Sequence, residues 1–223
     1  SFDDDSGTVE YSGGGTPQLA SYFDLEFSTG TYTLAGDIDV NGSVDLSGGT
    51  VNDGGRTIRV GKDWTLGGGT FTSNSDSGGT GTVEFDGSDI STISGATGFY
   101  NLTIDTPGKR VLFTSSQTQA VNGTLRIVGE LNNEVLLGPT GGTAYTIDNA
   151  GNSEVVRYAD VQWSDVGSND ITAEFSIDSG NNDTVTSPLW DFNPAGAAVL
   201  EWDGSAGDQD WFNGTNWTVL SGS

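Results

Sequence analysis

Residues Gly81 to Asp105 read GTVEFDGSDISTISGATGFYNLTID, and this stretch decides the fold. Its apolar residues alternate with polar ones, first at Val83 and Phe85 and later at Leu102 and Ile104. Glycines interrupt the alternation every few residues, which leaves no room for a helix. The pattern is typical of short strands joined by tight turns.

A similar stretch occurs earlier in the chain. Gly7 to Phe27 reads GTVEYSGGGTPQLASYFDLEF, and the first residues of the two stretches are offset by 74 positions. The offset has grown to 81 where Val40 matches Val121. Strands that keep their order while turns change length are typical of a solenoid. We therefore interpret 7–51 and 81–131 as two copies of an internal repeat.

A shorter period lies inside the first copy and beyond it. Gly-Thr followed by an apolar or aromatic residue recurs at Gly30, Gly49 and Gly69, at spacings of 19 and 20 residues. A coil of about 20 residues predicts an all-β parallel β-helix of roughly eight to ten coils. The handedness of parallel crossovers predicts a right-handed coil. The alternative is a pair of tandem antiparallel β-sandwiches.

The rest of the chain divides into three segments that differ in sequence pattern and composition. Residues 143–193 contain further strand patterns, including Val155 to Tyr158 and Ile171 to Phe175, and we interpret them as the closing coils of a solenoid that occupies 1–193. Residues 194–199 are mostly small and include Pro194, which indicates a linker. Residues 200–223 form a short Trp-rich C-terminal extension.

The charge balance excludes several classes of partner. The chain has 31 Asp and Glu against 7 Lys and Arg, for a net charge of −24. Nucleic-acid binding needs cations that neutralise phosphates, so DNA and RNA are excluded as partners. No apolar run is long enough for membrane insertion. The chain contains no Cys and no Met, and we expect it to be a processed form or a piece of a larger protein.

Pairs of carboxylates raise the question of catalysis, because some glycosidases work with two of them. The candidate pairs are Asp86 with Asp89 and Asp37 with Asp39. Histidine is absent, and dense Asp in glycine turns is expected without any reaction. We expect the protein not to be an enzyme.

Calcium is the candidate ion, although no cofactor is expected to be required. Asp203, Asp208 and Asp210, and also Asp3 to Asp5, supply hard oxygen ligands in loops. Neither group has the EF-hand spacing or the spacing of a calcium-binding nonapeptide repeat. The alternative is that these aspartates form turns.

Three tryptophans in the C-terminal extension form the candidate interaction site. Trp202, Trp211 and Trp217 belong to a segment too short to bury them alone. They must pack on the solenoid, on a following repeat block or on another copy. Open solenoid ends and this extension together predict head-to-tail self-assembly. The alternative is a segment cut from a longer monomeric protein.

Several of these stretches resemble large, repetitive, β-helical secreted surface proteins of bacteria, such as autotransporter passengers and adhesins. The unit that starts at Trp202-Asp203-Gly204 is similar to the start of another repeat block in such proteins. The resemblance implies an extracellular or cell-surface location and a structural role in a filament or sheath. An adhesin, or a segment that binds surface glycans, is the alternative. The closing coils carry the resemblance at Tyr158, Asp160, Asp165, Ile171, Gly180, Asn181, Asn182, Trp190 and Phe192.

Overall fold

The structure is a computed structural model that describes residues 7–17, 20–73, 80–192, 199–208, 210–211 and 213–221. Within these ranges its elements are short strands and one 3-10 turn at Gly214–Asn216. Most of the predicted linker, residues 194–198, lies outside the described residues. In chain order the strands are β1 (Thr8–Tyr11), β2 (Ser21–Tyr22), β3 (Asp24–Phe27), β4 (Thr31–Thr33), β5 (Ile38–Val40), β6 (Val44–Leu46), β7 (Thr50–Asn52), β8 (Thr57–Val60), β9 (Trp64–Leu66), β10 (Thr70–Thr72), β11 (Thr82–Phe85), β12 (Ser91–Ser94), β13 (Gly98–Phe99), β14 (Asn101–Ile104), β15 (Arg110–Phe113), β16 (Thr118–Val121), β17 (Leu125–Val128), β18 (Val135–Pro139), β19 (Tyr145–Asp148), β20 (Glu154–Arg157), β21 (Ala159–Val161), β22 (Ser164–Val166), β23 (Ile171–Glu174), β24 (Ile177–Asp178), β25 (Trp190–Asp191), β26 (Val199–Trp202) and β27 (Trp217–Ser221).

The strands stack into a β-solenoid of about nine turns with three faces. Face 1 is the sheet β1-β3-β6-β9-β12-β15-β18-β21-β24, and face 3 is the sheet β2-β5-β8-β11-β14-β17-β20-β23-β25. Face 2 consists of two sheets, β10-β7-β4 and β13-β16-β19-β22. The paired strands within these sheets are parallel, so the predicted parallel β-helix is confirmed and the sandwich alternative is wrong. The right-handed coil stays a prediction of the crossover rule.

Inward side chains form continuous apolar columns along the solenoid axis. On face 3, register places Ile38, Ile58, Val83, Leu102 and Leu125 in successive coils directly above one another. All five side chains are buried. Burying a side chain of this kind stabilises the fold by about 1.5–3 kcal/mol. The alternation of apolar and polar residues within each strand therefore decides which side of the strand faces the core.

The two sequence periods behave differently in the structure. The short period is the coil itself, because Thr31, Thr50 and Thr70 are register partners in β4, β7 and β10. The long repeat does not preserve the face. Its first copy begins with β1 on face 1, whereas its second copy begins with β11 on face 3. The copies thus share an order of strands and turns rather than equivalent positions in the stack.

Aspartates at strand ends and in the adjacent turns join consecutive coils. A carboxylate oxygen of Asp24 accepts the Ser43 backbone N–H at 2.7 Å, and Asp148 accepts that of Ser168 at 2.7 Å. Further bonds of the same kind between neighbouring coils are Asp37 with Thr57, Asp63 with Thr92, Asn101 with Thr124 and Asp170 with Leu189. These side chains satisfy backbone donors at corners, where the strand ladder is interrupted. Much of the Asp content is therefore structural.

Replacing one of these aspartates should destabilise the solenoid. Asp148→Ala leaves the Ser168 N–H without its acceptor, and we expect a loss of about 1–3 kcal/mol in the free energy of unfolding, measured by chemical denaturation. Asp165→Ala is the matched control, because Asp165 is exposed on β22 and the change removes the same charge. Equal effects of the two substitutions would contradict a role of Asp148 in joining coils.

Candidate interaction site

The C-terminal extension folds into a hairpin on which the three predicted tryptophans meet. Strands β26 and β27 are antiparallel, and their register pairs Trp202 with Trp217. The rings of Trp202 and Trp211 stack with centroids 5.5 Å apart, and the Trp217 ring lies edge-on to both, at 5.2 and 4.4 Å. The Trp217 indole N–H donates to the Trp211 carbonyl at 3.0 Å. The tryptophans therefore partly cover one another, but Trp211 remains 62% exposed.

The loop between the two strands is organised around Asn216, which is fully buried. Its side-chain oxygen accepts the Ala206 N–H at 2.8 Å. Its side-chain amide donates to an Asp208 carboxylate oxygen at 2.7 Å and to the Asp210 carbonyl at 3.0 Å. An isolated two-stranded hairpin is marginally stable in water. The bonds to Asn216 hold the loop and therefore fix the position of Trp211.

The predicted calcium ligands have defined roles in this loop. Asp203 accepts the Ser205 N–H, and Asp208 accepts the Asp210 N–H and the side-chain amides of Asn213 and Asn216. These hydrogen bonds, first the one from Asn213, lower the pKa of Asp208. In the described part of the chain no group of three or more acidic, His or Cys side chains is placed to hold a metal ion. Asp3 to Asp5 lie outside the described residues, and calcium binding stays a prediction.

The C-terminal part of the chain, which includes the hairpin, is acidic. No Lys or Arg occurs between Tyr158 and the end of the chain, whereas eleven Asp and Glu do. The loop that carries the exposed Trp211 therefore contains carboxylates and amides but no cationic side chain. A surface of this kind repels anionic partners and suits an uncharged or cationic one.

The solenoid surface arranges its carboxylates differently from either predicted pair. Asp37 accepts a backbone N–H of the next coil, and Asp89 lies 3.5 Å from the Lys62 ammonium. Instead, one member of each pair, Asp39 and Asp86, lie close enough for Asp39 to raise the pKa of Asp86, after the larger effect of desolvation. Single-sequence reasoning missed this grouping because the two residues come from coils separated by another coil.

Ion pairs link carboxylates of this surface to arginines of neighbouring coils. Arg59 lies 3.1 Å from Glu84, Arg126 lies 3.2 Å from Asp105, and on a later coil Arg157 lies 2.7 Å from Glu174. Partial burial raises the pKa of Glu84, and Arg59 opposes that shift. Structural ion pairs perturb pKa values as active sites do. The group has the features of a charge ladder on a sheet, and its last pair, Arg157 and Glu174, borders an open cleft on face 3.

A ladder of like charges runs along face 1 near the start of the solenoid. Register places Glu10, Glu26 and Asp45 opposite one another in successive coils. Glu10 accepts a hydrogen bond from Ser28 and Glu26 from Ser47, each one coil further on. The equivalent position for Asp45 is Gly67, so its buried Oδ1 atom has no such donor. Burial and then the Glu26 charge raise the pKa of Asp45.

Aromatic side chains pack against one another at both ends of the solenoid core. At the first coils Tyr11 stacks on Phe27 with centroids 5.7 Å apart, and its hydroxyl is hydrogen bonded to that of Tyr22 at 3.0 Å. At the last coil the buried Trp190 stacks on Phe192 at 5.8 Å. These two residues and Asp170 border a cleft of about 580 Å³ at that end. The strand-like sequence contexts of Trp64, Trp163 and Trp190 predict core or end-cap positions. Trp64 and Trp190 are buried, but for Trp163 the prediction is wrong, because it lies between β21 and β22 with a left-handed φ of 58° and is only half-buried.

The last coils also expose apolar side chains that the sequence patterns did not indicate. Phe175 is 64% and Val185 is 88% exposed. The predicted strand over 171–175 ends at Glu174, because Phe175 adopts a left-handed φ of 53° that turns its ring outward. There it stacks on Tyr158, which has a φ of 50° and likewise follows the end of a strand. An alternating pattern carries no signal for such a reversal at its final residue.

Comparisons of the chain with protein-family models, with curated proteins and with solved structures find no match. Among the described ranges no helix has the length and apolar character needed to span a bilayer. The solenoid architecture is compatible with the β-helical repeats that the sequence resembles.

Removing the charge of Asp45 should stabilise the protein at neutral pH. A carboxyl whose pKa is raised in the folded state destabilises the fold when ionised, and wild-type stability should rise as pH falls through that pKa. We expect Asp45→Asn to add about 0.5 kcal/mol to the free energy of unfolding. The gain should vanish well below the ordinary pKa of 3.8, where the carboxyl is protonated in both states. Asp165→Asn is the exposed control, and a gain that persists in acid would contradict the explanation.

Proposed function

We propose that the protein is a non-enzymatic structural building block of a bacterial extracellular filament or sheath, and that it assembles head to tail. The observation that carries the proposal is an unbranched parallel strand ladder: among the described strands, β1 and β24, the outermost strands of face 1, each pair with one neighbouring strand. Strand edges of this kind add further strands unless they are blocked. The bacterial surface setting rests on the resemblance of the repeats.

The last coil has the surface expected of a contact between copies. Its exposed apolar side chains, Ile177 and Val185, lie in the same coil as the cleft bordered by Trp190 and Phe192. The first coil of a second copy presents Val9 and the half-buried Tyr11 on β1. Stacking a first coil on a last coil would continue the backbone ladder and cover these side chains. The hairpin with its three tryptophans would then add a second contact.

Charge sets a condition on this assembly. All seven basic residues lie between Arg56 and Arg157, so each end region is acidic without compensation. Two such ends repel each other over a distance of about 10 Å at 0.1 M salt, and over longer distances in more dilute buffer. Head-to-tail docking therefore requires screening by salt or bridging by divalent cations.

The carboxylates support a structural role over a catalytic one. Turn aspartates accept backbone N–H groups of the next coil, and several of the carboxylates of face 3 pair with arginines. Each of these groups has a partner that explains its position without a substrate.

Assembly should depend on ionic strength and on the last coil. Sedimentation velocity and electron microscopy should find monomers at low salt and head-to-tail polymers at high monovalent salt or with calcium. Val185→Asp and deletion of Leu200 to Ser223 should each abolish the polymers. Leu131→Asp is the matched control, because Leu131 is 72% exposed but lies in the middle of the solenoid. Monomers under all salt conditions would overturn the proposal.

Glycan binding by the hairpin is the second candidate function, and the exposure of Trp211 favours it. An exposed indole next to carboxylate and amide acceptors suits the apolar face and hydroxyls of an uncharged sugar. Titration with neutral polysaccharides should then change tryptophan fluorescence, and Trp211→Ala should remove the change without lowering the thermal stability of the solenoid. An unaltered response in Trp211→Ala would exclude this site.

A further inference from the structure

A buried lysine, Lys109, occupies one corner of the solenoid. The turns that follow β8, β11 and β14 connect face 3 to face 1 in three consecutive coils. Their backbones are so close that a Cβ on Gly87 would lie 2.2 Å from the Gly61 carbonyl oxygen, and one on Gly61 would lie 2.1 Å from that of Asn41. Only glycine fits at these two positions, and the close stacking brings carbonyl groups of different coils together.

Lys109 enters this corner from the third of the three turns. Its residue is only 1% exposed. Its ammonium donates to the carbonyls of Gly87 at 2.6 Å and Asp89 at 3.1 Å, one coil away, and of Gly61 at 3.3 Å, two coils away. An ammonium has three N–H donors, and each has an acceptor. A single side chain thus ties together three consecutive coils.

Charges around the corner fit a cation. The carboxylates of Asp86, Asp89 and Asp63 all favour the charged form of Lys109, whereas burial, the largest effect, lowers its pKa. Lys62 lies at the same corner but is 42% exposed and pairs with Asp89 at the surface. The corner therefore contains one buried and one exposed lysine, and these are the two lysines of the chain.

We propose that this corner is an internal site for a monovalent, ammonium-like cation, and that the Lys109 side chain is its built-in occupant. Three carbonyls at 2.6 to 3.3 Å match the reach of an ammonium. Calcium takes 6–8 oxygens at about 2.3–2.6 Å. The three carbonyl oxygens of this corner are too few and too far apart to bind it. The consequence is that the middle of the solenoid is locked without any metal ion. The proposal stands independently of the assembly proposed above.

Chemical rescue tests the site. Lys109→Ala should lower the melting temperature by several degrees, because three carbonyls, among them that of the buried Gly61, lose their donor. Methylammonium chloride should restore part of the loss, whereas tetramethylammonium chloride at equal ionic strength, which cannot donate, should restore none. Lys62→Ala is the control and should melt near wild type with no specific response to methylammonium. Equal recovery in the two salts would overturn the proposal.

A measurement on the wild-type protein covers the case in which Lys109→Ala does not fold. Reductive methylation followed by peptide mass mapping should modify Lys62 quickly in the folded protein and leave Lys109 unmodified. Both lysines should react at similar rates in denaturant. Equal reactivity of Lys62 and Lys109 in the folded protein would show that the ammonium is not held in the corner, and would overturn the proposal.

Discussion

The whole structure depends on the parallel backbone hydrogen bonds between one coil and the next. Strands in such a ladder lie about 4.8 Å apart, so every coil must return to its starting point with a rise of that size. This constraint explains the glycines at corners, where Gly61 and Gly87 meet the backbone of the preceding coil. It also explains why Asp24 and Asp148 accept backbone donors one coil further on. The high content of glycine and aspartate is therefore explained by the needs of a tightly stacked coil.

The sequence predicts the architecture well and individual surface positions poorly. The Gly-Thr period predicts the coil correctly because Thr31, Thr50 and Thr70 occupy one register position. A shift of the strand register by one residue would move the apolar side chains out of the core. The longer repeat misleads about equivalence, since similar strands can lie on different faces when the offset is not a whole number of turns. The outward orientation of Phe175 and the buried contacts of Lys109 cannot be predicted from the sequence pattern, for a different reason. The orientation of the first depends on one left-handed residue, and the partners of the second come from turns 20 and more positions away.

The acidic side chains have at least three different structural roles. Turn carboxylates join coils, outward carboxylates such as Glu84 pair with arginines, and a smaller set such as Glu26 and Asp45 face each other as like charges. The predicted interaction site stands apart from all three. Its tryptophans partly cover one another, as the hairpin register allows, and the Asn216 network holds the loop so that one indole remains at the surface. This placement is what the proposed assembly and the alternative of glycan binding both use.

Lys109 also has a mechanical consequence. A solenoid pulled from one end should unravel coil by coil, and each coil of about 20 residues would release roughly 65 Å of extended chain. An ordinary coil is held by its neighbour alone, but the ammonium of Lys109 reaches the two coils that precede its own. Unravelling from the C-terminal end would therefore pause at this corner, and the coils before it would stay folded under a load that removes the rest. The corner would act as a mechanical stop in the middle of the rod.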